Sequence, residues 1–182
     1  MNRTVKIILV FLSVILLLFI IATWYKYEFS MEVAKEYQLN TPNENIKLLI
    51  ATQGSEFKDT ITKGIVKHYK RDSIFIKVID ISSLVKVNPN DFTAILIMHT
   101  WENWKPPTVV RQFIERTADQ HKKMVVLTTS GQGSYSIKQI DTLYNLENID
   151  ALTGESNTNE TTSFIKEIIS RLDDKMHSTG EL

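Results

Sequence analysis

Hydrophobic and polar positions divide the chain into three stretches. From Ile7 to Tyr25, 19 consecutive residues carry no charge, and only Ser13 and Thr23 break an aliphatic run. About 20 apolar residues in a helix cross the hydrocarbon core of a bilayer, so this segment predicts one transmembrane helix. A cleaved signal peptide would have an apolar region of about 7–15 residues followed by a small-x-small cleavage site. Here the run is longer and leads into Trp24-Tyr25-Lys26-Tyr27, an aromatic and basic interface anchor. The segment is therefore predicted to remain as an uncleaved anchor, with residues 1–6 as a short cytoplasmic N-terminus. Residues 26–45 are polar and end in Asn40-Thr41-Pro42-Asn43-Glu44-Asn45. They predict a stalk, helical at first and then a turn.

From Ile46 the pattern becomes an alternation of short apolar runs and helical stripes. Ile46 to Ala51, Ile74 to Ile79, Phe92 to Met98, Met124 to Thr129 and Asn148 to Leu152 read as five strands. Between them Ile61, Ile65 and Tyr69 recur at helical spacing, as do Val110, Phe113, Ile114 and Thr117 behind Pro106-Pro107. A weak helix is predicted over Ile137 to Tyr144. A last helix carries Phe164, Ile165, Ile168, Ile169 and Leu172, and residues 175–182 read as a flexible tail. Apolar strands alternating with amphipathic helices predict an α/β fold, a parallel sheet covered on both faces. The domain is expected over 46–174.

Charge narrows the partners. Beyond Lys26 lie 18 Lys and Arg against 21 Asp and Glu, a net of −3. No nucleic-acid footprint is present in such a balance. Near the apolar segment, Arg3 and Lys6 precede it, while Lys26 and Lys35 on the other side are mixed with Glu28, Glu32 and Glu36. The bias predicts the N-terminus inside and the soluble domain outside the cytoplasm. The chain has no cysteine, which excludes lipoprotein attachment, disulfides and thiolate chemistry. His68, His99, His121 and His177 are scattered without ligand spacing, so no metal is expected.

The order of these elements resembles the flavodoxin-like family over roughly Ile46 to Leu172. Three segments carry the resemblance: Thr52-Gln53-Gly54-Ser55-Glu56-Phe57-Lys58-Asp59-Thr60 after strand one, His99-Thr100-Trp101-Glu102-Asn103-Trp104-Lys105-Pro106-Pro107 after strand three, and Thr128-Thr129-Ser130-Gly131-Gln132-Gly133-Ser134 after strand four. The resemblance implies a three-layer sandwich with a five-stranded parallel sheet in order 2-1-3-4-5. It also implies FMN at the carboxyl ends of the strands. The phosphate would lie on Thr52, Gln53, Gly54, Ser55 and Thr60. The ring would lie against Thr100 and Trp101 or Trp104, with its pyrimidine edge on Ser130, Gly131, Gln132 and Gly133. The family's T/S-x-T-G-x-T phosphate loop is here Gly54-Ser55-Glu56-Phe57, and Glu56 brings a carboxylate toward the phosphate. Asp150-Ala151-Leu152-Thr153-Gly154-Glu155-Ser156 is similar to the motif that takes covalent FMN, with Ser156 as acceptor and Glu155 in place of alanine. As an alternative, Thr153 and Ser156 cap a turn.

Two functions follow. One is a membrane-tethered flavodoxin-like module that binds FMN and passes electrons to a membrane or exported redox protein. The other is a flavin-free interaction or sensory module on the same anchor. His99, at the end of the most apolar strand, reads as a buried structural residue, and Trp101 and Trp104 serve either packing or a flavin.

Overall fold

The computed structural model describes residues 2–29, 31–101, 105–139, 146, 148–155 and 160–178. Two compact units divide the chain, residues 1–31 and 32–182. The first contains helix α1, Arg3–Phe29. At 1.5 Å per residue it runs about 40 Å, and the stretch Arg3–Trp24 is long and apolar enough to cross a membrane.

The second unit is built on a six-stranded sheet: β1 (Tyr37–Leu39), β2 (Ile46–Thr52), β3 (Ile74–Asp80), β4 (Ala94–Thr100), β5 (Met124–Ser130) and β6 (Asp150–Glu155). The order is β1-β3-β2-β4-β5-β6. The five strands β2 to β6 are parallel and follow the expected 2-1-3-4-5 order. Registers such as Ile50 beside both Val78 and Leu96, and Met98 beside Leu127, align the apolar runs across the sheet.

The sixth strand is a correction to the expected five-stranded sheet. β1 pairs antiparallel with β3, Tyr37 opposite Val78 and Leu39 opposite Ile76. A stalk was expected here. Instead the polar segment covers the edge of β3, whose unpaired N–H and C=O groups would otherwise be exposed. Asn40 turns the chain with φ 61° and its Nδ2 donates to the Ile74 carbonyl at 2.7 Å. Asparagine tolerates that left-handed conformation.

Both faces of the sheet are buried, because successive side chains of a strand alternate between them. One core layer takes Leu48, Ile50, Ile76, Leu96, Met98, Val125 and Leu127 under helices α2 (Glu56–Tyr69) and α4 (Thr161–Ser178). The other takes Leu49, Ala51, Ile95, Ile97 and Val126 under α3 (Thr108–Arg116) and the 3₁₀ turn Ile81–Lys86. α2 buries Phe57, Ile61, Ile65 and Tyr69 on one stripe and has Glu56 and Asp59 in its first turn and Lys67 and His68 in its last, the sense its dipole favours. α4 extends to Ser178 with Met176 buried, so the expected tail begins later than residue 175. The weak helix expected from Ile137 is a 3₁₀ turn over Ile137–Gln139; residues 140–145 lie outside the described residues.

Candidate functional site

The carboxyl ends of β2, β4 and β5 bring Thr52, Gln53, Thr100 and Ser130 to one end of the sheet, as the strand order requires. Here alternation separates two groups of polar side chains. Thr100 and Thr129 continue the layer under α2, and His99, Thr128 and Ser130 continue the layer under α3.

On the α2 side, Ser55 caps the helix. Its backbone is extended and its Oγ accepts from the Lys58 amide at 3.3 Å. Lys58, three residues into the helix, is only 2% exposed. Its Nζ donates to Thr100 Oγ1 at 2.7 Å and lies 3.5 Å from Ser55 Oγ. Thr100 Oγ1 is 3.0 Å from Thr129 Oγ1, and Thr129 donates to the His99 carbonyl at 3.3 Å. With the lysine as the source of protons, every hydroxyl along this chain points onward, from Thr100 to Thr129 to the carbonyl. Such a relay spreads the charge of a buried ammonium whose desolvation would otherwise cost several kcal/mol.

Gln53 completes the ladder where the strands end. Its Oε1 accepts from the Thr100 amide at 2.6 Å, and its own N–H donates to the Met98 carbonyl at 3.3 Å. Thr52 Oγ1 donates to the Gln53 carbonyl at 3.1 Å. Thr60, expected at the phosphate, is instead exposed on α2, its hydroxyl spent on the Glu56 carbonyl at 2.8 Å. Glu56 is also exposed.

Gly54 meets the polypeptide itself. Its N–H donates to the Glu32 carbonyl at 2.7 Å, and the two residues form an antiparallel bridge. A Cβ on Gly54 would lie 2.7 Å from that oxygen and 2.9 Å from the Glu32 carbonyl carbon. Only glycine permits so close an approach. Two residues on, the Ala34 amide donates to buried Asp80 Oδ2 at 2.8 Å.

The α3 side differs. His99 is fully buried, with Nε2 3.2 Å from Thr128 Oγ1. Burial, reinforced by the charge of Lys58 and opposed by a backbone hydrogen bond at Thr100, pushes its pKa down to about 4. The ring is therefore neutral at physiological pH. Trp101 stacks on Tyr135, centroids 5.2 Å apart and planes 28° from parallel. Trp101 Nε1 and Ser130 Oγ are buried without a hydrogen-bond partner. Gly131 and Gln132 are exposed, and Gly133, at φ 64°, closes a turn by donating to the Ser130 carbonyl at 3.3 Å. Trp104 and Ser156 lie outside the described residues, and with them the second tryptophan and the covalent acceptor. Among the described residues no three metal-binding side chains converge.

The two poles answer the FMN expectation differently. At the ring pole Trp101 is stacked on Tyr135, and Trp101 Nε1 and Ser130 Oγ are buried polar atoms without a partner that a ligand could satisfy. The phosphate pole does not fit, because the loop amide that would meet a phosphate oxygen already meets Glu32. Lys58 had a legible signal, since it lies three and seven residues before Ile61 and Ile65 on the buried stripe of α2. Glu32 and Asp80 had none, being brought to the loop only by the chain's return.

No protein-family model matches the sequence, and no curated protein matches it. Solved structures do match. A flavodiiron core from Synechocystis superposes with a TM-score of 0.52 at 10% identity, covering 75% of this chain and 37% of that one. The chain thus spans little more than a third of that structure. An archaeal flavodoxin matches at TM-score 0.44 and 10% identity, over 71% of this chain and 99% of its own. A Fusobacterium nucleatum flavodoxin bound to flavin mononucleotide matches at 0.43 and 11%, over 71% and 95%. The fold of the second unit is flavodoxin-like.

Proposed function

We propose that this chain is a membrane-tethered flavodoxin-like module that works without flavin, as an interaction or sensory domain for a membrane or exported protein. The supporting observation is the hydrogen bond of 2.7 Å from the Gly54 amide to the Glu32 carbonyl. In this fold the first loop is where an anion meets backbone N–H groups at a helix N-terminus. Here the Gly54 amide of that loop is taken by polypeptide. α1 supplies the tether, and the Arg3 and Lys6 bias favours a domain outside the cytoplasm.

The second reading is an FMN-dependent electron carrier serving a membrane or exported redox protein. The Trp101–Tyr135 stack favours it, together with the unpartnered Trp101 Nε1 and Ser130 Oγ. In that reading Trp101 supplies a face for the ring and Ser130 a hydrogen bond to its edge, and the flavin supplies the electron chemistry.

Titration separates the two. The purified full-length protein in detergent is expected to be colourless and to leave FMN fluorescence unquenched at high micromolar protein. A yellow preparation, or tight quenching, establishes the second reading instead.

A further inference from the structure

We propose that residues 32–36 form a displaceable strap, and that its displacement decides whether the crevice admits a phosphorylated ligand. The inference rests on the closed-crevice reading above and names what closes it. Three attachments hold the segment. Glu32 accepts from Gly54 on the β2 loop at 2.7 Å. Ala34 donates to Asp80 at the end of β3 at 2.8 Å. Glu36 Oε1 accepts from the Asp80 amide at 3.2 Å and from Ser83 Oγ at 2.6 Å. The strap thus crosses the ends of two neighbouring strands.

Its composition makes it the weakest part of the crevice. Of residues 32–36 only Ala34 is buried, while Val33 is 80% exposed and Glu32, Lys35 and Glu36 face solvent. The β2 and β3 strands beneath are almost wholly buried. Segments held by hydrogen bonds with little apolar burial open locally, without global unfolding. The position along the chain matters too. Ser30 and Met31 alone separate Phe29, the end of α1, from Glu32. A partner or a tension acting on the apolar helix is therefore passed along the chain to the strap first.

When seated, the strap holds the Gly54 amide on a neutral carbonyl. An anionic oxygen is the stronger acceptor, so displacement exchanges a neutral acceptor for a phosphate without reshaping the loop. Glu36 adds negative charge at the seated mouth and leaves with the strap, whereas Asp80, at the end of β3, stays in place.

Two measurements on the full-length protein in detergent test this. Amide hydrogen exchange is expected to show Gly54 and Ala34 opening together, at least tenfold faster than Ile97 in the core. The variant Ala34→Pro removes the donor to Asp80. It is expected to accelerate exchange at Gly54 at least tenfold and to tighten FMN binding at least tenfold, with a smaller gain for riboflavin, which lacks the phosphate. The inference is overturned if Gly54 exchanges only with the core in the native chain. It is also overturned if Ala34→Pro folds with FMN binding unchanged, or gains equally for riboflavin and FMN. Exchange in the native chain needs no variant, so a misfolded Ala34→Pro leaves the test intact. Tight FMN binding by the native protein would instead overturn the flavin-free reading itself.

Discussion

His99 shows how one buried side chain sets a response to acid. A histidine with a folded pKa of about 4, against an ordinary value near 6.5, is held neutral by the fold and protonates more readily when unfolded. Its favourable contribution is present above about pH 6.5 and is lost as pH falls through 4. At about 1.4 kcal/mol per pKa unit the loss approaches ~3 kcal/mol. Urea unfolding of the second unit at pH 7, 5.5 and 4 is expected to show this decline. His99→Asn, which carries no proton equilibrium, is expected to flatten it, and an unchanged pH profile would assign the acid response elsewhere. The same residue-level logic explains Lys58. Although Lys58 stands in the first turn of α2 beside the loop, its side chain is threaded inward to Thr100.

At the level of elements, helices and parallel strands follow their apolar spacing closely, and the differences occur at ends and edges. α4 continues past Leu172 because Met176 returns to the buried stripe, 5% exposed, and because Lys175 reaches Asp150 at 2.6 Å. Its spacing from Ile168 and Leu172, four residues at a time, continues the helical repeat. Asp173, just before the expected tail, accepts from the Tyr69 hydroxyl at 2.7 Å and ties α4 to α2. Met176→Ala is accordingly expected to cost about 2–5 kcal/mol of unfolding free energy. His177→Ala, at an exposed position, should stay within about 0.5 kcal/mol. Chemical denaturation of both variants checks the pair, and equal small effects would show that the last turn frays.

For the whole molecule, the proposal is of two units with different solvents. α1 exposes Ile7 to Ile21 almost throughout, and the second unit packs its own two-layered core. Leu16→Arg with Leu17→Arg is expected to release the protein from the membrane fraction, since each central arginine costs about 2.5–3.5 kcal/mol on insertion. Retention of the double variant after carbonate washing would remove the anchor from the account. Protease added to intact spheroplasts is expected to digest the second unit; full protection by active protease would reverse the orientation.

Periodicity determined the apolar helix, the five strands and the helices between them, because each is a local pattern repeated over enough residues to exceed chance: unbroken apolar length for α1, apolar runs for β2 to β6, stripes for α2 to α4; the order of the strands came from the family resemblance, not from spacing. The loops Thr52–Thr60 and Ser130–Ser134 were legible as strand ends for the same reason. Tertiary structure alone decided what those loops meet. β1 is three residues long, too short to carry a pattern, and exists because β3 has an open edge. Glu32 reaches Gly54, 22 positions on, only because that edge strand turns the polar segment back across the sheet. Apart from the glycine at 54, which does not say what approaches it, hydrogen bonds between distant backbone groups leave no mark on residue type, so the partner that closes on that loop is invisible in the sequence and present in the fold.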